Sequence, residues 1–200
     1  MHNEDMGIDD TALPRITGHV LIRDPNTNEV ILDKRNAVHY ENWSLAIAYS
    51  LAGNDEGLLY EMDFGNGGSA VSGTGAITYF PTNTTDPQAT LYNPTYSKII
   101  SRNTPTASTG NNYVEVKHLL GTTYTDIIVT CTLDYNEPAG QEAFDDASNL
   151  NGAFVFDEIG LKSYVASGEG LLLTHVIFNP IQKSLNRLIE VVYTLRVQMA

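Results

Sequence analysis

The sequence predicts a mainly β protein, an antiparallel β-sandwich of jelly-roll type with one short helix. Three observations predict it. Five strand signals follow one another in the last third, NYVEVKHLL, TDIIVTCTLDY, AFVFDEIGL, LLLTHVIF and RLIEVVYTLRVQ, each parted from the next by turn-rich residues. Only one convincing helical period occurs, so the strand–helix alternation of a parallel sheet is missing. The 200 residues, 42% hydrophobic, suffice for one domain with a real core.

Residues 1–15 are read as a flexible N-terminal arm, and 16–200 as a single β-sandwich domain. The opening MHNEDMGIDD is acidic, with neither the basic nor the apolar region of a secretory signal. No hydrophobic run is long enough to span a bilayer. GHVLIRD and VILDK, joined by a polar loop from Asp24 to Glu29, predict a β-hairpin. ENWSLAIAYSLAG predicts the helix: Trp43, Ile47 and Leu51 repeat every fourth residue, Leu45 and Ala48 widen the stripe, and Gly53 suits a left-handed end. LLYEMDF predicts a strand. A loop-rich insertion follows over about 65–112, with strand-like islands at AITYF and LYNPTYSKII. Tyr79, Phe80, Tyr92 and Tyr96 give that insertion something to pack.

Charge narrows the functional classes. With 11 Lys+Arg against 24 Asp+Glu the net charge is −13, which leaves no electrostatic grip on nucleic acid or anionic lipid. The single cysteine, Cys131, cannot pair within the chain, and IIVTCTL reads as a buried, inert thiol. His19, His39, His118 and His175 are scattered singly, without metal spacing, so neither metal nor cofactor is expected. DFGNGG (63–68) lacks the companions of a kinase motif. The glycines at 65, 67, 68, 73 and 75 lead into no GK[ST] and no helix N-terminus, so they read as a flexible or tight turn.

The unusual stretch is FVFDEIGL (154–161), where Asp157 and Glu158 sit side by side in an apolar strand. Strict alternation sends one to each face. If the last three strands pair as consecutive hairpins, loops centred on Ala166 and on Gln182–Lys183 set Asp157, and then Glu190, opposite His175. The same register gathers Phe154, Phe156, Val176, Phe178, Ile189, Val191 and Tyr193 on the core face. An Asp157–His175–Glu190 cluster is compatible with acid–base chemistry, but no nucleophile lies near it in sequence. The structural reading is an acid–histidine pair worth about 1 kcal/mol. Glu158 then falls on the core face, where it needs Arg187, Arg196 or a neighbouring subunit's cation. The candidate polar cluster or interface is thus Asp157, Glu158, His175 and Glu190, with Tyr92 and Tyr96 from the tyrosine-rich insertion. Tyrosine-rich loops also suit carbohydrate, which keeps a carbohydrate-binding module among the expectations. A hydrolase using Asp157 and His175 is the remaining rival.

The order of segments resembles a class of bacteriophage virion proteins of tail, baseplate, neck and head-appendage type. The segments that carry it are KRNAVHYENWSLAIAYSLAG, YEMDFGNGG, FVFDEIGL, LLLTHVIFNPIQK and LIEVVYTLRV, spread over about residues 18–198. The resemblance implies a β-rich, oligomeric, non-catalytic piece of a particle, whose partners are other virion proteins and copies of itself. It would be assembled in the bacterial cytoplasm and localised to the virion. The chain has no fibre shaft and no coiled-coil repeat, which favours a compact adaptor, collar or baseplate part, or a capsid-decorating protein. In that setting the strand's acidic residues would be completed by another chain, and the N-terminal arm would order on a neighbour.

Overall fold

The computed structural model describes residues 14–100, 112–140 and 154–199. The predicted arm therefore lies outside the described residues, apart from Pro14 and Arg15, which open the first strand. The fold is mainly β, a curled antiparallel sheet with one helix and a sandwich-like core. The elements run β1 (Pro14–Arg23), β2 (Val30–Val38), α1 (Tyr40–Leu51), β3 (Leu59–Gly65), β4 (Ser69–Val71), β5 (Ile77–Tyr79), β6 (Pro94–Ile99), β7 (Tyr113–His118), β8 (Tyr124–Leu133), β9 (Val155–Ser163), β10 (Leu172–Gln182) and β11 (Ile189–Met199). Nine strands form one sheet in the order β6-β3-β9-β10-β2-β1-β11-β8-β7, and β4 and β5 make a separate hairpin.

Strand β2 turns the sheet on itself. Its residues 30–36 pair with β1, as predicted for the first hairpin, whose loop closes through the Asp24 N–H donating to the Glu29 carbonyl (3.0 Å). Ala37 and Val38 then pair with His175 and Thr174 on β10. One strand changing partners part-way is how a continuous sheet makes the corner of a sandwich. The two halves face each other across Ile22, Phe64, Phe156, Ile159, Val191 and Tyr193, all within one apolar core. The Tyr193 hydroxyl reaches the Ile159 carbonyl on the opposite half (3.4 Å), which gives a buried phenol its partner.

The last three strands are not consecutive hairpins. β9 and β10 pair, but β11 pairs with β1 and β8 in the other half of the sheet. The 183–188 connection crosses between halves instead of turning back. Of the predicted core face, Phe156, Val176, Phe178, Ile189, Val191 and Tyr193 are buried in the core, and Phe154 is half-buried at the turn before β9. Alternation fixes which face a side chain takes; it does not say which strand lies alongside.

Helix α1 matches its predicted span and ends with Gly53 at φ +75°, where a left-handed residue is required. Its buried face is Trp43 and Ala46 with Ile47 beside them, whereas Leu45 and Leu51 are exposed. The stripe is thus narrower than expected. His39 caps the helix, its Nδ1 accepting from the Asn42 N–H (3.2 Å), while the Asn42 amide donates to the Leu172 carbonyl (2.9 Å) and anchors the helix on β10. Cys131 is buried, and burial pushes its thiol up to about 12, as an inert core thiol requires.

Candidate functional site: a polar cluster beneath the 66–93 loop

The outer face of β3, β9 and β10 carries Asp63, Asp157, Glu158, Lys162 and His175, all buried. The cover over Asp157, Glu158 and His175 is the chain's own segment between β3 and β6, whereas Lys162, paired with Asp63, is met by Glu169 from the β9–β10 connection. The DFGNGG turn begins that cover, and its glycines are required by close approach. A Cβ on Gly65 would lie 2.6 Å from both the Asn93 carbonyl and Glu158 Oε1. One on Gly67 would lie 2.7 Å from the Asn93 nitrogen. The loop is therefore a tight one here, folded directly onto the strand carboxylates.

Phe156 and Ile159 both belong to the core, so the two residues between them both leave it. The β9–β10 register shifts between Ile177 and Ile181, a stretch containing Pro180, which has no N–H to give to a ladder. This irregularity corrects the expectation that Asp157 and Glu158 take opposite faces. Both face the glycine turn. Asp157 Oδ1 accepts from the Gly68 N–H (2.9 Å) and Oδ2 from the Ser69 hydroxyl (2.5 Å). Glu158 Oε1 accepts from the N–H groups of Gly67 (3.0 Å) and Asn93 (2.8 Å), and Oε2 from the Tyr92 N–H (2.9 Å).

His175 pairs with Glu158, not with Asp157. In the ladder His175 lies opposite Gly160, which sets Glu158 diagonally across from it on the same face. Its Nδ1 accepts from the Asn83 N–H (2.8 Å), which leaves the proton on Nε2 to be donated to Glu158 Oε2 (3.0 Å). Both side chains are fully shielded from solvent. Burial alone would raise the Glu158 carboxyl, but the donors from His175, Asn93 and Tyr92 outweigh it and hold it below the usual range. Asp157 goes the other way: burial raises it, and its fewer donors do not compensate.

Glu190 is not part of the cluster. It lies on β11 and binds Arg23, with Nε at 2.6 Å. Arg196 holds Asp126 with both carboxylate oxygens at 2.8 Å, and Arg187 donates to the Gln182 carbonyl, so neither supplies Glu158. Tyr96 lies on β6 against Phe64, ring centroids 6.1 Å apart. Tyr92 does belong: its ring packs on His175 (5.7 Å) and on Phe80 (5.7 Å), and its hydroxyl donates to the Pro81 carbonyl (2.8 Å).

Sequence reasoning missed Lys162, Asp63 and His39. Lys162 Nζ lies 2.6 Å from Asp63 and 2.5 Å from Glu169. Burial would lower its ammonium, but the two carboxylates outweigh that and raise it. The signal was present, since Lys162 is a charged residue in an apolar strand, two positions beyond Gly160 and four beyond Glu158. His39 Nε2 donates to the Asp86 carbonyl (2.7 Å), so two histidines hold the same loop at two points. Ala89 and Leu91 close the cover over Leu172, and Gly160 leaves room for both leucines.

The cluster orders the loop and presents aromatic side chains above it. Tyr79, Phe80 and Tyr92 remain 44–49% exposed although their backbone is pinned beneath. Among the described residues no three metal-binding side chains converge, and no helix is long and apolar enough to cross a membrane. Comparison with known proteins finds no matching family model, no matching curated sequence and no matching solved structure.

Proposed function

We propose that the protein is a non-catalytic structural component of a phage particle, an oligomeric adaptor of the tail, baseplate or neck. One observation carries the reading: the acids and histidine that most resemble catalytic groups are wholly occupied in fixing a surface loop. Glu158 and His175 have no solvent access and face donors and acceptors of their own chain, so no substrate reaches them. The product of that arrangement is a preorganised aromatic patch, Tyr79, Phe80 and Tyr92, of the composition that contact surfaces favour.

Mass spectrometry of purified phage particles tests the reading directly, with the protein expected at stoichiometric abundance. Sedimentation of the purified protein tests the patch. The variant Tyr79→Ser/Phe80→Ser is expected to weaken self-association or partner capture while the protein stays folded, its unfolding midpoint lowered only slightly by loss of the Phe80–Tyr92 and Tyr79–Asn179 contacts. Absence from particles sinks the proposal. The same exposed aromatics favour a second reading, a carbohydrate-binding module used in host attachment. Saturable glycan binding that disappears in the same double variant would select it.

A further inference from the structure

Where β2 leaves β1 for β10, the two strands fork. Pairing between them stops at Gly18–Asn36, and among the described residues β1 from Pro14 to Thr17 has a ladder partner on its β11 side alone. A groove of about 900 Å³ occupies the fork. Residues 15–19, 35–38 and 194–198 contribute to its lining, and Tyr40, Thr84 and Thr85 close it. Ile16 and Val20 point into the core, so Arg15, Thr17 and His19 point outward, with Arg196 opposite Thr17 and Arg35 opposite His19. Three of the six arginines of a chain with net charge −13 therefore line one groove. Arg196 is engaged by Asp126 and His19 by Asp33. No carboxylate among the described residues pairs with Arg15 or Arg35, and both are exposed.

We propose that this groove receives the acidic N-terminal segment of the same chain, residues 1–13. The segment joins β1 at Pro14, one residue before Arg15 of the groove's lining, and carries Glu4, Asp5, Asp9 and Asp10. Thirteen extended residues reach about 45 Å, whereas the groove from Arg15 to His19 runs about 13 Å along the strand, so the segment has the length to reverse and lie over it. The β1 edge, unpaired among the described residues, offers an extended chain a ladder, and Arg15 and Arg35, which no described carboxylate engages, offer its carboxylates charge-assisted hydrogen bonds. The occupant is the chain's own segment, because tethering at Pro14 makes docking intramolecular, while two molecules of charge −13 repel. The inference stands apart from the particle reading, since it concerns the free molecule.

A nitroxide attached through His2→Cys in the full-length protein tests it, with Cys131 buried and unreactive to the label. Amide signals of Thr17, Arg35 and Thr84 are expected to be lost to paramagnetic broadening and to return in Arg15→Gln/Arg35→Gln. The control Lys117→Gln, on β7, is expected to leave the broadening in place. A folded spectrum for the arginine variant excludes misfolding as the cause. Unbroadened groove signals overturn the proposal, as does broadening that survives removal of both arginines. Broadening in a mixture of isotope-labelled and separately spin-labelled molecules assigns the groove to a second copy and overturns it too.

Discussion

Asp157 and Glu158 are chain neighbours of one chemical type, and their surroundings move their carboxyls in opposite directions. The consequences differ in sign. Glu158 has a folded-state value below that of the unfolded chain, so its contribution is complete above about pH 4.3 and is lost as pH falls through the folded value. Asp157 has a raised value; its ionisation opposes folding at neutral pH, and acidification relieves that cost. Glu158→Gln puts an amide NH2 where N–H groups already point. His175 cannot switch tautomer to accept from it without losing Asn83. A cost of about 1–3 kcal/mol is expected from urea unfolding at pH 7, shrinking below about pH 4. Asp157→Asn keeps an acceptor for Gly68 and a donor for Ser69, and should stay within about 1 kcal/mol of the parent. Equal losses in the two variants would refute this division of roles. Glu190→Gln, which breaks a partly exposed pair with Arg23, should cost no more than about 1 kcal/mol in the same assay.

At the scale of elements, the glycine turn and the β9–β10 irregularity form one unit. The register shift turns two adjacent carboxylates to one face, and the turn lacks side chains where they approach. Gly65→Ala would force a methyl into the Asn93 carbonyl and Glu158, with an expected loss of about 1–3 kcal/mol. Gly73 has open space around it, and Gly73→Ala should change stability by less than about 0.5 kcal/mol. Hydrogen exchange offers a further check. In Gly65→Ala the Gly67, Gly68, Tyr92 and Asn93 amides should lose protection together, because one cluster holds them. Loss confined to residue 65 and its neighbours would show the contacts to be independent.

For the whole molecule, charge and topology act on different outcomes. The net charge of −13 opposes self-association, so any oligomer formed through the aromatic patch should strengthen as salt screens the repulsion. Sedimentation across a salt series measures this. Dissociation on adding salt would instead indicate an interface held by ion pairs. The curled sheet supplies the rigid base beneath: β2 belongs to both halves, and the core between them is continuous from Trp43 through Phe64 to Tyr193. The loop surfaces are built on this base, at the 66–93 cover and at the fork between β1 and β2.

By itself the sequence determined the helix, the burial of Cys131, the parity of the core residues on β11 and every strand but β4 (Ser69–Val71), which lies in the glycine-rich stretch read as a loop. Each is encoded locally, in period, turn chemistry and side-chain size. It pointed to Asp157, Glu158 and His175 as residues that had to find partners, since a charge in an apolar strand is costly alone. Only the tertiary structure decided who those partners were. Pairing His175 with Glu158 depends on a register shifted from the simple hairpin, moving Asp157 to the same face depends on the irregularity near Pro180, and excluding Glu190 depends on β11 crossing to the other half. The donors that complete Glu158 are mostly backbone N–H groups of a loop more than sixty residues away, as in Asn93 at a separation of 65. Backbone groups are the same at every position, so no residue identity announces which of them will close on a given carboxylate; the folded path of the chain does.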